Sequence, residues 1–122
     1  MSSLSHRPNA EIAALRKRRS AVLSALGDGL VDVSAVLADE RETCNGLPVR
    51  RVLMAGWGWF PERCGVVLTR LGVWDWRDAA TRDLSPRVRA RLVRFARAYD
   101  AELAQAAERE CEAAAAALAA AM

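Results

Sequence analysis

One stretch, from Val52 to Val73, restricts the fold more than any other part of the chain. Its apolar beginning narrows to Gly56-Trp57-Gly58-Trp59-Phe60, and a second apolar pattern begins at Pro61 and stops at Gly72. Because glycines end helices and proline is favoured in a first helical turn, this stretch predicts a helix, a hairpin and a second helix. Such a hairpin is either a plain corner between helices or a phosphate site, where the second helix presents its N-terminus to an anion.

Apolar residues elsewhere in the chain recur at three- and four-residue spacing, which predicts helices. The expected elements are a helix from Ala10 to Leu26, a short helix from Val33 to Thr43 with Asp32 as N-cap, a helix opened by Pro48, a helix from Pro61 to Leu71, a turn or single helical turn from Val73 to Asp78, and a last helix that begins at Pro86 with Ser85 as N-cap. The most β-like run lies inside a better helical pattern. The predicted class is therefore all-α.

Charge divides the chain into two parts. Residues 1–100 carry 17 basic and 11 acidic side chains, whereas residues 101–122 carry one basic and four acidic side chains. We expect a flexible N-terminus (1–9), a basic helical domain (10–100) and an alanine-rich helical extension (101–122) that projects or frays. The basic domain favours an anionic partner, although arginine-rich surfaces are also common in proteins from GC-rich genomes.

Several classes of site are disfavoured by the composition. The three cysteines are odd in number and widely spaced, and the chain has one histidine, so a disulfide framework, a zinc site and a catalytic cysteine are not expected. The N-terminus lacks the apolar segment of a signal peptide, and the longest apolar run, Ala113 to Met122, is too short to span a bilayer. We expect a cytoplasmic non-enzyme with no cofactor, no metal, no membrane partner and no small-molecule substrate.

Clusters of basic residues are the candidates for contact with an anion. Four consecutive cations, Arg16 to Arg19, surround the first helix beside a single nearby acid, Glu11. Arg50 and Arg51 immediately precede the hairpin, and Arg87, Arg91 and Arg94 share a face of the last helix. Each cluster is either a solvated face or a surface that binds nucleic acid.

Four tryptophans form two Trp-x-Trp pairs, one at each end of the helix that begins at Pro61. They can form the lid of a small core. Alternatively, Trp57 or Trp59 is an exposed ring that contacts a sugar or wedges at a base step, or that anchors a protein partner.

The order of these features resembles a known family. The features are a basic helix ending at Leu26, the short helix Val33 to Leu37, the helix Val49 to Leu53, the hairpin Gly56 to Phe60, the ending Leu71-Gly72-Val73, a connector with Arg77, and a closing helix from Leu84. In order and spacing, most of residues 10–96 resemble the actinobacterial integration host factor family of small nucleoid-associated proteins. The resemblance implies a helix-two-turns-helix core like that of ribosomal protein S13, and binding of duplex DNA in the nucleoid without strong sequence preference.

The resemblance and the basic clusters together give a set of candidate DNA-binding residues. These are Arg16, Lys17, Arg18, Arg19, Arg50, Arg51, Trp57, Gly58, Trp59, Arg63, Arg77, Arg82 and Arg87. The chain departs from the family where Phe60 replaces the second hairpin glycine and Pro61 replaces the basic residue after it. A protein-interaction module that uses the Trp-rich hairpin is the alternative function, and RNA binding is a third.

Overall fold

The computed structural model describes residues 8–122, and within them the chain forms six α-helices. These are α1 (Asn9–Gly27), α2 (Val33–Ala38), α3 (Glu42–Asn45), α4 (Val49–Trp57), α5 (Pro61–Leu71) and α6 (Pro86–Ala121), with a 3₁₀ turn at Thr81–Asp83 before α6. The only extended pairing in this part of the chain is an isolated bridge between Pro48 and Ala80. The predicted all-α class is confirmed. Of the expected flexible N-terminus, residues 1–7 lie outside the described residues, and Asn9 is already helical.

Two helices begin and end where local signals place them. Helix α5 begins at Pro61 and is followed by Gly72, whose φ of 99° is a left-handed conformation that favours glycine. At the start of α6, the Ser85 hydroxyl accepts a hydrogen bond of 3.2 Å from the backbone N–H of Val88. The predicted N-cap at Ser85 is therefore confirmed.

The prediction of one helix from Val33 to Thr43 is wrong, because the chain turns at Asp39. The Asp39 carboxylate accepts the backbone N–H of Arg41 at 2.9 Å and pairs with the Arg41 guanidinium at 2.6 Å. Hydrogen bonding by Arg41 also holds the pKa of Asp39 well below its usual range. A carboxylate bound to the backbone two residues ahead offers the chain an alternative to the helix, so α2 and α3 are separate.

The N-terminus of α2 is capped from another helix. Asp32 occupies the N-cap position but makes no side-chain cap hydrogen bond. Instead, Asp100 Oδ2 on α6 accepts the backbone N–H of Ser34 at 2.9 Å, and Asp100 Oδ1 accepts Trp57 Nε1–H at 2.8 Å. One carboxylate thus joins α2, α4 and α6.

Helix α4 lies at the centre of the packing and contacts α1, α2 and α5, while α6 covers α2 and α5. The most deeply buried side chains include Leu26, Leu37, Leu53, Leu68 and Leu92. A methyl group on Gly56 would overlap Val33 Cγ2 and lie 3.2 Å from Leu26 Cδ2. The absent side chain therefore allows α4 to pack closely against α1 and α2.

The two hairpin tryptophans belong to the lid of the core. The ring centroid of Trp57 lies 4.8 Å from that of Trp59 and 4.5 Å from that of Tyr99, and Phe95 completes the cluster. Trp59 is 5% exposed, and its Nε1–H donates to the Tyr99 hydroxyl at 3.3 Å. The exposed aromatic side chains are Phe60 and, in the connector after α5, Trp74.

The alanine-rich end continues α6 as one helix. At a rise of about 1.5 Å per residue, residues 101–121 extend roughly 30 Å. All of them are exposed except Ala106, which is half-buried. Across residues 8–122, no helix combines the length and the apolar character that crossing a membrane requires.

Candidate nucleic-acid interface

A groove lined by arginines lies between α1 and the start of α4. The end of α1 meets α4 where Leu26 lies beside Gly56, and the middle of α1 faces the residues just before α4. The groove has a volume of about 430 Å³. Its lining is Arg16, Arg19, Ser20, Leu23, Gly46, Leu47, Pro48 and Arg51, with no acidic side chain among them. We call this feature the arginine groove.

Gly46 brings a further arginine to the arginine groove. A methyl group at Gly46 would overlap Arg19 Nη2, and it would lie 2.8 Å from Arg19 Cζ and 3.3 Å from Arg82 Nη1. Two guanidinium groups therefore converge on one point of the backbone, although residues 19 and 82 are far apart in the chain.

The four consecutive cations of α1, Arg16 to Arg19, have two roles. Arg19 donates to the carbonyl oxygens of Glu42 at 3.0 Å and Thr43 at 3.4 Å, and Arg18 donates to the Thr43 hydroxyl at 3.4 Å. These bonds hold α3 against α1. Arg16 and Lys17 are exposed, and Arg16 faces the arginine groove.

Three arginines of this surface are not neutralised by the protein. Within residues 8–122, Arg16, Arg51 and Arg82 have no ion-pair partner. All three side chains are also exposed. They are available to bind an anion from solvent without first breaking a contact.

Arg50 and Arg51, which were predicted as a pair, point in different directions from α4. Arg50 Nε donates to the carbonyl oxygen of Arg77 at 2.6 Å, so Arg50 holds the connector that follows α5. Arg51 points into the arginine groove. The Arg77 guanidinium lies 5.1 Å from the Trp76 ring centroid. Arg50 and Arg77 thus support the structure around the connector.

The hairpin keeps part of the geometry that a phosphate site requires. Gly58 has φ 69° and ψ 23°, a left-handed conformation, and a methyl group there would meet nothing within 4 Å. The Arg63 guanidinium stacks on the Trp59 ring, 4.1 Å from its centroid. The rings of Trp57 and Trp59 face the core, so Gly58, Phe60 and Arg63 are the accessible groups at this corner.

A second basic groove, of about 670 Å³, lies beside α6. Arg82, Arg89, Arg94 and Arg97 line it together with one acid, Glu40. Arg89 pairs with Glu40 at 3.4 Å and donates to the Ala38 carbonyl oxygen at 3.1 Å. Arg89 thereby binds the last residue of α2. Arg82 connects this groove with the arginine groove at Gly46. Arg87, the last candidate, is exposed in the first turn of α6.

The buried cysteines are poor nucleophiles. Burial raises the pKa of both the Cys44 and the Cys64 thiol, so the thiolate form is disfavoured. Cys111 is exposed on the extension. The chemistry that this surface offers is the binding of anions by guanidinium groups.

The sequence did not show that Arg16 and Arg51 line one groove or that Arg82 reaches its edge at Gly46, because the three residues belong to separate segments. Asp100, which caps α2, had no signal because its partner lies 66 residues away. A scan of protein-family models and searches of curated proteins and solved structures found no match to this chain.

Proposed function

We propose that this chain is a DNA-binding architectural protein of the nucleoid, and that it contacts backbone phosphates with little preference for sequence. The proposal includes an S13-like helix-two-turns-helix core, as the resemblance to actinobacterial integration host factor implies. The observation that carries it is the arginine groove, which Arg16 and Arg51 line and whose edge at Gly46 is reached by Arg82.

The chemistry of this surface suits the phosphates of a nucleic-acid backbone. Guanidinium groups bind phosphate oxygens through paired N–H donors and stay charged at all physiological pH values. Duplex DNA presents phosphates along two strands, so several separated cations can each contact one. Contacts to the backbone set position and affinity, whereas base-edge contacts would be needed to read sequence.

In this proposal the hairpin is a secondary contact. Gly58 leaves the backbone accessible, and Arg63 is held in place by Trp59. The four residues between Gly58 and Arg63 are Trp59, Phe60, Pro61 and Glu62, which supply no cation. The arginine groove therefore provides the main share of the positive charge.

The first prediction concerns salt. We expect the chain to bind two unrelated duplexes of equal length with affinities within a fewfold of each other. The logarithm of the affinity should fall with the logarithm of salt concentration at a slope of about −3, since each phosphate contact contributes roughly −0.9. Fluorescence anisotropy at graded salt measures both quantities. Absence of binding at low salt would end the proposal.

Variants locate the contact. The double variant Arg16→Ala, Arg51→Ala should lower affinity by at least about tenfold at low salt and make the slope shallower by about 2. The matched control Arg70→Ala, Arg109→Ala removes the same charge from exposed positions outside the arginine groove. Equal losses in the two double variants would show only a general attraction by net charge.

The alternative function, a protein-interaction module that uses the Trp-rich hairpin, has to rely on Phe60, because Trp57 and Trp59 pack inward. Phe60→Ala with intact DNA binding but a lost protein partner would favour it. For RNA binding, the discriminating result is a preference for structured RNA over duplex DNA in direct competition.

A further inference from the structure

The outward face of α6 carries a regular stripe of exposed residues. Its positions alternate in steps of four and three, which is the spacing that keeps side chains on one side of a helix that contacts another helix. The members are Arg87, Arg91, Arg94, Ala98, Ala101, Gln105, Glu108 and Glu112, and every one of them is exposed. We call this feature the outer stripe. The opposite side of the same helix, with Leu92 and Ala96, is buried in the core.

The charges of the outer stripe are complementary to those of a second outer stripe that runs in the opposite direction. From residue 87 forward it reads Arg, Arg, Arg, Ala, and from residue 112 backward it reads Glu, Glu, Gln, Ala. When a second copy is laid antiparallel, position 87 faces position 112, position 91 faces 108, position 94 faces 105, and position 98 faces 101. Every basic residue then faces an acid or an amide.

We propose that α6 pairs antiparallel with α6 of a second copy of this chain along the outer stripe. Arg87 of each copy contacts Glu112 of the other, and Arg91 contacts Glu108, so each ion pair occurs twice about a two-fold axis. Ala98 and Ala101 lie at the axis, where small side chains let the two helices approach closely.

The charge distribution sets the direction of pairing. A parallel pair in the same register would place Arg87 against Arg87 and Glu112 against Glu112, which is repulsive. In the antiparallel arrangement, the acidic extension of each copy lies along the basic first half of the other copy's α6. The core packs against the opposite side of α6, through Leu92 and Ala96.

The same arginines suit nucleic acid less well. Glu108 and Glu112 continue the outer stripe without a break, and their carboxylates would repel phosphates along half of its length. A second copy of the chain, in contrast, can pair with both the basic and the acidic half of the outer stripe. This inference does not depend on DNA binding, and its tests contain no nucleic acid.

Sedimentation of the full chain tests the association. Because exposed ion pairs are individually weak and are screened by salt, we expect a monomer–dimer equilibrium at about 50 mM salt that weakens by at least about tenfold at about 500 mM. A chain that stays monomeric at low salt and at concentrations on the order of 100 μM would overturn the proposal.

Charge reversal tests the pairing itself. The ion pairs use positions 87, 91, 108 and 112 of each copy. In the variant Arg87→Glu, Arg91→Glu all four side chains are acidic, and in Glu108→Arg, Glu112→Arg all four are basic. Neither variant alone should self-associate, but an equimolar mixture should form a heterodimer at least as tight as the wild-type dimer. The matched control Glu102→Arg, Glu110→Arg makes the same charge change off the outer stripe and should retain the dimer. Self-association of both stripe variants, or a mixture that stays monomeric although each variant is helical, would contradict the proposal.

A distance measurement tests the direction. Cys111 is exposed whereas Cys44 and Cys64 are buried, so a spin label can be placed at Cys111. In the antiparallel register, position 111 faces position 88 of the second copy, and a separation of 23 residues (111 minus 88) corresponds to about 34 Å along the helix axis. A parallel pair would place the labels roughly 10 Å apart, the distance between packed helices. The short distance would overturn the antiparallel arrangement.

Discussion

The missing side chain of Gly46 determines where two guanidinium groups lie. Its φ of −92° is open to any residue, so Gly46→Ala strains no backbone, and its methyl group meets only the ends of two long side chains, Arg19 and Arg82. We expect this variant to displace Arg19 from the Glu42 carbonyl oxygen and to lower DNA affinity severalfold. Stability should change by less than about 1 kcal/mol, because the lost contact is offset by reduced freedom of the unfolded chain. Anisotropy and urea unfolding measure the two effects.

Gly56→Ala is the contrasting control. Its methyl group overlaps Val33 Cγ2, a stiff β-branched side chain inside the core, and has no mobile group to displace. We expect a loss of about 1–3 kcal/mol in the free energy of unfolding. If Gly46→Ala binds DNA as the wild type does, the positions of Arg19 and Arg82 at Gly46 are irrelevant to binding.

For Arg50 and Arg51, the sequence alone does not determine which contacts each side chain makes. They were predicted as one pair of DNA contacts, but successive side chains on a helix point about 100° apart. Arg50 consequently reaches the carbonyl oxygen of Arg77, while Arg51 faces the arginine groove. Residue type and position were sufficient to nominate both, and only the packing of neighbouring elements distinguishes their roles.

At the scale of elements, local signals predicted the helix starts well. Pro61 and Ser85-Pro86 act through their own backbone geometry, and both boundaries agree with the structure. The break at Asp39 was missed because it depends on a hydrogen bond to Arg41 that competes with an otherwise helical pattern. Capping of α2 by Asp100 was missed because Asp100 and Ser34 meet only after the helices have packed.

Asp100 gives a prediction for the packing of these helices. Asp100→Ala removes the acceptor for both Trp57 Nε1–H and the Ser34 N–H, and leaves two part-buried donors without a partner. We expect a loss of about 2–4 kcal/mol in the free energy of unfolding, since each unsatisfied donor costs about 1–3 kcal/mol. Urea unfolding followed by tryptophan fluorescence measures the loss.

Two further variants make the Asp100 result specific. Asp100→Asn keeps one acceptor oxygen but turns an N–H donor toward the other donor, so it should also be destabilising. Asp78→Ala changes an exposed carboxylate that makes no side-chain hydrogen bond among the described residues, and it should alter stability by less than about 0.5 kcal/mol. Wild-type stability in Asp100→Ala would mean that the carboxylate does not join the three helices.

At the scale of the whole molecule, the arginine groove could not be located from sequence. Arg16, Arg51 and Arg82 come from the first helix, the fourth helix and the connector before the sixth. Arg16 and Arg51 line one groove because α1 packs on α4, and Arg82 reaches its edge at Gly46. The separation of charge between residues 1–100 and 101–122 was readable directly, because it needs no knowledge of contacts. Composition was thus sufficient to suggest an anionic partner, whereas the choice of Arg16, Arg51 and Arg82 as its proposed contacts required the packing.

The last prediction concerns how far cooperative structure extends along α6. Leu92 and Ala96 are buried, whereas residues 101–121 are almost entirely exposed. Helical hydrogen bonds that lie outside the packed core can open locally, starting from the free end of the helix. At low micromolar concentration and about 0.5 M salt, we expect hydrogen exchange to show global protection up to about Asp100. Beyond about Leu103, protection should lie within roughly a hundredfold of an unstructured chain.

Raising the protein concentration at low salt separates two causes of protection. If α6 pairs with a second copy along the outer stripe, protection should spread through residues 101–112 and stop there, because the stripe ends at Glu112 and residues 113–121 have no facing partner. Protection of the whole extension in dilute solution, equal to that of Leu92, would instead mean that the extension packs on its own body.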